Sequence, residues 1–244
     1  MLEFLNQVDT QIFLMLNGAF RSEFLDHFME LFTGKFIWAP MYAAILFILF
    51  KNFKPWKAMI CVVGIVLSIV IADQVCATLI RPLVGRLRPS NPDNPLSAFT
   101  HIVNGYRGGS YGFPSCHAAN SFALATFLSL LIPSKRFRRF ILLWATVNSL
   151  SRLYLGVHYP GDLLAGGIIG SCAGWMCYRL SRLAMIGHKA MARSKADGRI
   201  SLPVPSGLTP VIEWHSTLSL PVSDIMIGIG ALTLLWISAH AILA

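Results

Sequence analysis

Residues 58–80 read AMICVVGIVLSIVIADQVCATLI, and no charged side chain appears before Asp73. A helix needs about 20 mostly apolar residues to cross a hydrocarbon core about 30 Å thick. This stretch meets that length, so the chain reads as a membrane protein. Working outward, further spans fit residues 33–50, 117–133, 139–156, 160–182 and 223–243. The segment 160–182 is rich in Gly and Ala, which lets membrane helices approach closely. Ahead of the first span, Leu5, Val8, Ile12 and Leu16 recur at helical spacing with polar residues between them. That pattern predicts a helix lying in the interface. Residues 200–222 carry Pro203, Pro205, Pro210 and Pro221 and read as a linker. The expected fold class is all-α: a polytopic membrane helical bundle of about six transmembrane helices plus an N-terminal interfacial helix. As a single membrane domain it divides into an interfacial segment 1–30, a helical core 31–185, a cytoplasmic loop 186–222 and a last transmembrane helix 223–244.

Composition agrees. The chain is 55% hydrophobic and 13% charged, with mean hydropathy +0.61. Disordered chains show the opposite balance, and a soluble globule would carry about 25% charge. The net charge of +9 would suggest nucleic acid in a soluble protein. Here thirteen of the 20 basic residues fall on one side of the alternating topology, at 51–57, 135–139 and 179–199. That side is assigned to the cytoplasm, and nucleic acid is not an expected partner. The five cysteines form no C-x-x-C pair and no zinc spacing. The N-terminus has no basic region of a cleavable signal peptide, so the chain is expected to be retained whole.

Of the seven basic residues on the other side, only Lys35 is not arginine. Three segments meet there: RPLVGRLRP at 81–89, FPSCH at 113–117 and SRLYLGVHYPGD at 151–162. Arg81, Arg88 and Arg152 offer planar forks of donors suited to a phosphate. Pro114 and Pro160 stand where a proline fits the first turn of a helix, so two helix N-termini are expected to point N–H groups at one place. Asp162, four residues after His158, can take one ring N–H and leave the other nitrogen nucleophilic. His117 is then free to protonate a leaving oxygen. Arginines and N–H groups neutralise the transferring phosphoryl in this scheme, so it calls for no metal and no cofactor.

These segments resemble the three signature motifs of the type 2 phosphatidic acid phosphatase superfamily: K-x-x-x-x-x-x-R-P, P-S-G-H and S-R-x-x-x-x-x-H-x-x-x-D. The match runs from 81 to 162, about a third of the chain, in the right order and spacing. The resemblance implies metal-independent hydrolysis through a phosphohistidine. By position, His158 is the nucleophile, Asp162 its orienting partner and His117 the general acid. Arg81, Arg88, Ser115 and Arg152 hold the phosphate, Ser115 through its hydroxyl or backbone N–H. Arg81 stands where the family has lysine, and Cys116 where it has glycine.

Further candidates are Cys116, Arg86 and Asp73. Asp73 is eight residues before Arg81 on one predicted helix, and an ionisable group inside a span is a functional candidate; its plainer role is a polar partner of Gln74 or an arginine. Arg86 reads equally as a substrate or a headgroup contact. His101, Tyr106, Arg107 and Tyr111 lie in the long outer connection, where a polar loop needs no such role. His215 and His240 belong to no motif. The expected activity is a membrane lipid phosphatase acting on a lipid phosphate or pyrophosphate: undecaprenyl pyrophosphate, a lipid A phosphate, phosphatidylglycerol phosphate or phosphatidate. The expected place is a bacterial inner membrane, with the site facing outward and the bilayer as partner. A lipid-to-lipid phosphotransferase and an anion transporter are the rival readings.

Overall fold

The computed structural model describes residues 2–197 and 222–243. The expected linker with its prolines, and His215, lie outside the described residues. Two helices open the chain, α1 (Leu2–Ala19) and α2 (Glu23–Phe32). Ser22 caps α2, its Oγ accepting the Leu25 N–H at 3.2 Å. A short turn then leads into α3 (Ala39–Asn52).

Next comes α4 (Pro55–Gln74), which starts on a proline, where a missing N–H costs nothing. It runs through a π-helical stretch, Val75–Ile80, into α5 (Arg81–Val84). The π stretch ends two residues before Pro82, whose ring cannot fit against an unmodified α-helical turn. Gly85, at φ +61°, ends α5 in the left-handed region that glycine tolerates. A long connection follows, and then α6 (Cys116–Leu131), α7 (Lys135–Tyr154), α8 (Pro160–Asp197) and α9 (Val222–Leu243).

By length and apolarity three helices among the described residues qualify as spans: Pro55–Val84, Pro160–His188 and Asp224–Leu243. A fourth arises if Glu23–Phe32 and Phe36–Asn52, bent by 67°, count as one. The remaining two, α6 and α7, fall short for physical reasons. α6 has 16 residues and lies inside the bundle against α4, α7 and α8, with Ala118, Ala119, Ala123, Ala125 and Phe127 fully buried. α7 carries Lys135, Arg136, Arg138 and Arg139 at one end and Arg152 at the other. With α3 they bring the bundle among the described residues to about six helices. The expected span 117–133 stops at Leu131, just ahead of Pro133, because the residue before a proline avoids helix. The expected span 160–182 is longer than read. Its helix continues to Asp197, about 57 Å at 1.5 Å per residue, so the first part of the expected 186–222 loop is helical.

Small residues set the closest packing. A Cβ on Gly166, Gly170 or Gly174 of α8 would run into the carbonyl oxygens of Ser115, Ala119 and Ala123 respectively. Without a hydrophobic effect between helices in lipid, such contact is what holds them together.

α1 exposes Phe4, Leu5, Ile12 and Met15. Its opposite face, Asp9, Phe13 and Asn17 at helical spacing, turns onto the protein. Phe13 is fully buried, with its ring centroid 5.3 Å from that of Tyr159. Asn17 is also buried and donates from Nδ2 to the Leu153 and Tyr154 carbonyls at 3.2 and 2.9 Å. It thereby satisfies the Tyr154 carbonyl at the C-terminus of α7 and adds a second donor to that of Leu153, which also accepts the Gly156 N–H at 3.0 Å.

Candidate active site

The three motif segments lie at the same end of the bundle. The connection before α6 is braced by two short antiparallel segments: Arg88 N–H donates to the Ser110 carbonyl at 3.1 Å and Gly112 N–H to that of Arg86 at 2.9 Å. This aims Arg86 and Arg88 at the turn between α7 and α8. That turn carries Gly156 at φ +78°, where a Cβ would also strike the His101 carbonyl.

His158 sits in this turn and is 2% exposed. Its Nδ1 lies 3.2 Å from Asp162 Oδ2, and Asp162, in the first turn of α8, is fully buried. The same Oδ2 accepts the Tyr159 N–H at 3.0 Å, which holds the carboxylate in place. Arg88 Nη1 lies 3.1 Å from His158 Nε2. Burial pushes the His158 pKa down to about 4; Arg88 and Arg152 act in the same direction and the Asp162 carboxylate opposes them. The imidazole is therefore neutral near pH 7, the form that carries a nucleophilic lone pair.

Arg81, Arg88 and Arg152 converge here, and none has a carboxylate partner among the described residues. Burial, reinforced by repulsion from Arg81 and Arg152, lowers Arg88 to about 10. The Nε atoms of Arg81 and Arg152 are buried without a hydrogen-bond partner. Unmatched buried donors and uncompensated positive charge are what a dianionic phosphate would satisfy.

His117, in the first turn of α6, has its Nε2 3.1 Å from Asn148 Oδ1 and 3.0 Å from Thr33 Oγ1. Asn148 donates in turn to Ser121 Oγ at 2.8 Å, which orients its amide with the oxygen toward the histidine. An amide oxygen only accepts, so the proton sits on Nε2 and Nδ1 is the free nitrogen. Arg152 Nη1 donates to Thr33 at 3.4 Å and Nη2 to Tyr106 Oη at 3.1 Å.

The two expected helix N-termini differ from the sequence reading. Pro114 lies outside the helix: α6 begins at Cys116, and Ser115 is its cap, with Oγ accepting the Ala118 N–H at 3.4 Å. The Ser115 N–H is already spent on the Asp162 carbonyl at 3.0 Å, so only its hydroxyl proton is open to a ligand. Pro160 does start α8, but its first turn is also spent: Gly161 N–H goes to Asp9 Oδ1 at 2.7 Å and Asp162 N–H to the Tyr159 carbonyl at 3.1 Å. The first-turn N–H groups of α6, at Cys116 and His117, have no intrahelical acceptor.

Both departures from the family pattern touch each other. Arg81 Nη2 donates to Cys116 Sγ and to the Pro114 carbonyl, both at 2.9 Å. Asp73 instead accepts from Asn120 Nδ2 at 2.9 Å and, among the described residues, pairs with neither Gln74 nor an arginine. Arg86 bonds Asp162 Oδ1 at 3.1 Å and Asp9 Oδ2 at 2.7 Å, so it faces carboxylates within the protein. Of the loop residues only Tyr106 meets the cluster through its side chain; His101 pairs with Asp26, and Arg107 donates to the Ser90 carbonyl. Asp9, Thr33 and Asn148 escaped the sequence reading, and no motif marks them.

Beside His117 opens a cavity of about 480 Å³. Asn120, Asn148, Thr33 and Lys35 line its polar end, and Tyr42, Leu46, Ile65, Val66 and Ile69 its apolar walls between α3 and α4.

A model of the PAP2 superfamily matches residues 57–186, more than half of the chain. The chain belongs to the PAP2 superfamily. Among members, it is 51% identical to the lipid A 4'-phosphatase of Bacteroides thetaiotaomicron over 99% of both chains. The lipid A 4'-phosphatase of Porphyromonas gingivalis is 36% identical over 73% of this chain and 75% of that one. Solved PAP2-type folds are similar. The crystal structure of the first transmembrane PAP2-type phosphatidylglycerolphosphate phosphatase from Bacillus subtilis superposes with a TM-score of 0.54 at 19% identity, covering 73% of this chain and 86% of that one. That of Aquifex aeolicus LpxE gives 0.52 at 24% identity, covering 69% and 93%. This PAP2 protein is a membrane lipid phosphatase.

Proposed function

We propose that this phosphatase removes a phosphate monoester from lipid A at the outer face of a bacterial inner membrane. The observation that carries the chemistry is a buried His158 held between Asp162 and Arg88, with Arg81 and Arg152 close by and none of the three arginines paired with a carboxylate among the described residues. Lipid A is favoured by the full-length similarity to a lipid A 4'-phosphatase. The cavity between α3 and α4 supports the reading, because it gives an acyl chain a path from the bilayer to His117. Charge supports the outward face: Lys51, Lys54 and Lys57 at the junction of α3 with α4, and Lys135, Arg136, Arg138 and Arg139 at the start of α7, stand at the helix ends opposite the motif residues.

In this mechanism His158 Nε2 attacks phosphorus and the ester P–O bond breaks. His117, protonated on Nδ1 once the phosphate dianion is bound, gives that proton to the leaving oxygen, which departs as the lipid alcohol. Asp162 stabilises the positive ring as it forms. Water then attacks the phosphohistidine, His117 takes its proton, the N–P bond breaks and inorganic phosphate leaves. Arg81, Arg88, Arg152 and the Ser115 hydroxyl hold the phosphoryl oxygens throughout.

The test is phosphate release by purified protein from lipid A, undecaprenyl pyrophosphate, phosphatidylglycerol phosphate and phosphatidate, with His158→Ala as the blank. The expected result is preference for lipid A, a dead His158→Ala that still folds, and no loss with chelator. Full activity in folded His158→Ala overturns the mechanism. Preference for another lipid overturns the substrate, and phosphorylated lipid in place of free phosphate shows transfer.

A further inference from the structure

Asp9 reaches the site from a helix that carries none of the motifs. Its Oδ1 accepts the Gly161 N–H at 2.7 Å, which ties α1 to the first turn of α8. Its Oδ2 accepts Arg86 Nη1 at 2.7 Å, and that same Nη1 reaches Asp162 Oδ1 at 3.1 Å. The Arg86 guanidinium lies over the Tyr159 ring, 3.7 Å from its centroid. A Cβ at residue 161 would come within 2.9 Å of Asp9 Oδ2, so glycine there admits the carboxylate. One guanidinium is thus shared by two carboxylates, and the shorter bond goes to Asp9.

We infer that Asp9 is a positioning residue for the His158–Asp162 pair, acting through Arg86. The inference rests on the reading of His158 as nucleophile. The physical reason is competition for one cation. Asp162 is fully buried and has to hold the ring N–H of His158 with one oxygen. A guanidinium with no other partner would bind Asp162 at full strength, drawing charge from the oxygen that serves His158 or turning the carboxylate away. Asp9 takes the larger share of Arg86. Asp162 keeps its orientation, with Oδ1 on Arg86 and Oδ2 on His158 and the Tyr159 N–H. The charged groups around His158 are Asp162 from α8, Arg88 from the long connection and Arg152 from α7, with Arg86 and Asp9 acting through Asp162.

Asp9→Asn separates the two contacts, because its amide oxygen still accepts the Gly161 N–H while the charge is gone. Loss of about ten- to a hundredfold in kcat is expected, the scale of a misplaced catalytic group, with KM nearly unchanged. Phosphohistidine formation, followed by rapid quench with labelled substrate, slows equally. The acidic limb of the kcat/KM profile moves to lower pH, because Asp162 supports the imidazolium less. Arg86→Gln moves that limb the opposite way, to higher pH, and the double variant is no slower than the slower single one. Asp9→Glu restores part of kcat. A wild-type kcat and limb in folded Asp9→Asn, or independent effects in the double variant, overturn the inference. If Asp9→Asn does not fold, an unmoved limb in Arg86→Gln overturns it as well. Turnover by His158→Ala would instead sink the underlying mechanism, so the two failures are distinct.

Discussion

Arg88 Nη1 stands 3.1 Å from His158 Nε2. An arginine N–H only donates, so Nε2 accepts and the ring proton lies on Nδ1, facing Asp162. The lone pair of the proposed nucleophile therefore points into the guanidinium cluster, where a phosphate would be held. In the proposed mechanism the guanidinium that covers the lone pair would turn to the phosphoryl oxygens as substrate enters.

Arg88→Gln should lower kcat/KM by about a hundred- to a thousandfold, as for loss of one charge-stabilising donor group. The variant also has a pH signature. Arg88 opposes protonation of His158, whose pKa is held down to about 4. Removing that charge lets the ring protonate more readily, so the acidic limb of activity should move to higher pH. A steady-state pH profile of the purified variant checks both effects, and an unmoved limb would remove Arg88 from the account of His158.

Arg81 and Cys116 should behave as one unit. Their 2.9 Å contact predicts that Arg81→Lys and Cys116→Gly are coupled by about 0.5–3 kcal/mol, the range for residues in contact. The double variant rebuilds the family pair, so it should be more active than the sum of the single losses. A double-mutant cycle on kcat/KM measures this; additive losses would mean the contact carries no energy.

Leu46→Trp narrows the cavity between α3 and α4. Displacing about two methylenes of a bound chain costs about 1.6 kcal/mol, or about a tenfold rise in KM. Long-chain substrate should show this rise, while a short, water-soluble phosphate ester keeps its wild-type KM. Equal changes for both would place the acyl chain elsewhere.

Gly170→Val tests the α6–α8 contact. Its Cβ would run into the Ala119 carbonyl, and overpacking of this kind costs about 1–3 kcal/mol. Gly187→Ala, on the same helix with open space at its Cβ, is the control and should be neutral or slightly stabilising. Thermal unfolding in detergent separates the two.

The sequence by itself determined the helical membrane class, the approximate span positions, the clustering of basic charge at one end, and the motif residues from Arg81 to Asp162. Each of these is local: apolar run length, loop charge, and spacing that places His158 and Asp162 one turn apart. It also carried the glycine-rich face of α8, because close packing leaves a compositional trace. Tertiary structure alone decided which groups support the site. Asp9 meets Arg86 across 77 residues, Thr33 meets His117 across 84, and Asn148 meets His117 across 31. Such pairs leave no periodicity and no fixed spacing, because helix packing brings them together. The same reason explains why the N–H groups expected to be open beside Pro114 and Pro160 are not. Whether an N–H is free depends on the acceptor that packs against it, and for Ser115 and Gly161 those acceptors come from Asp162 and Asp9.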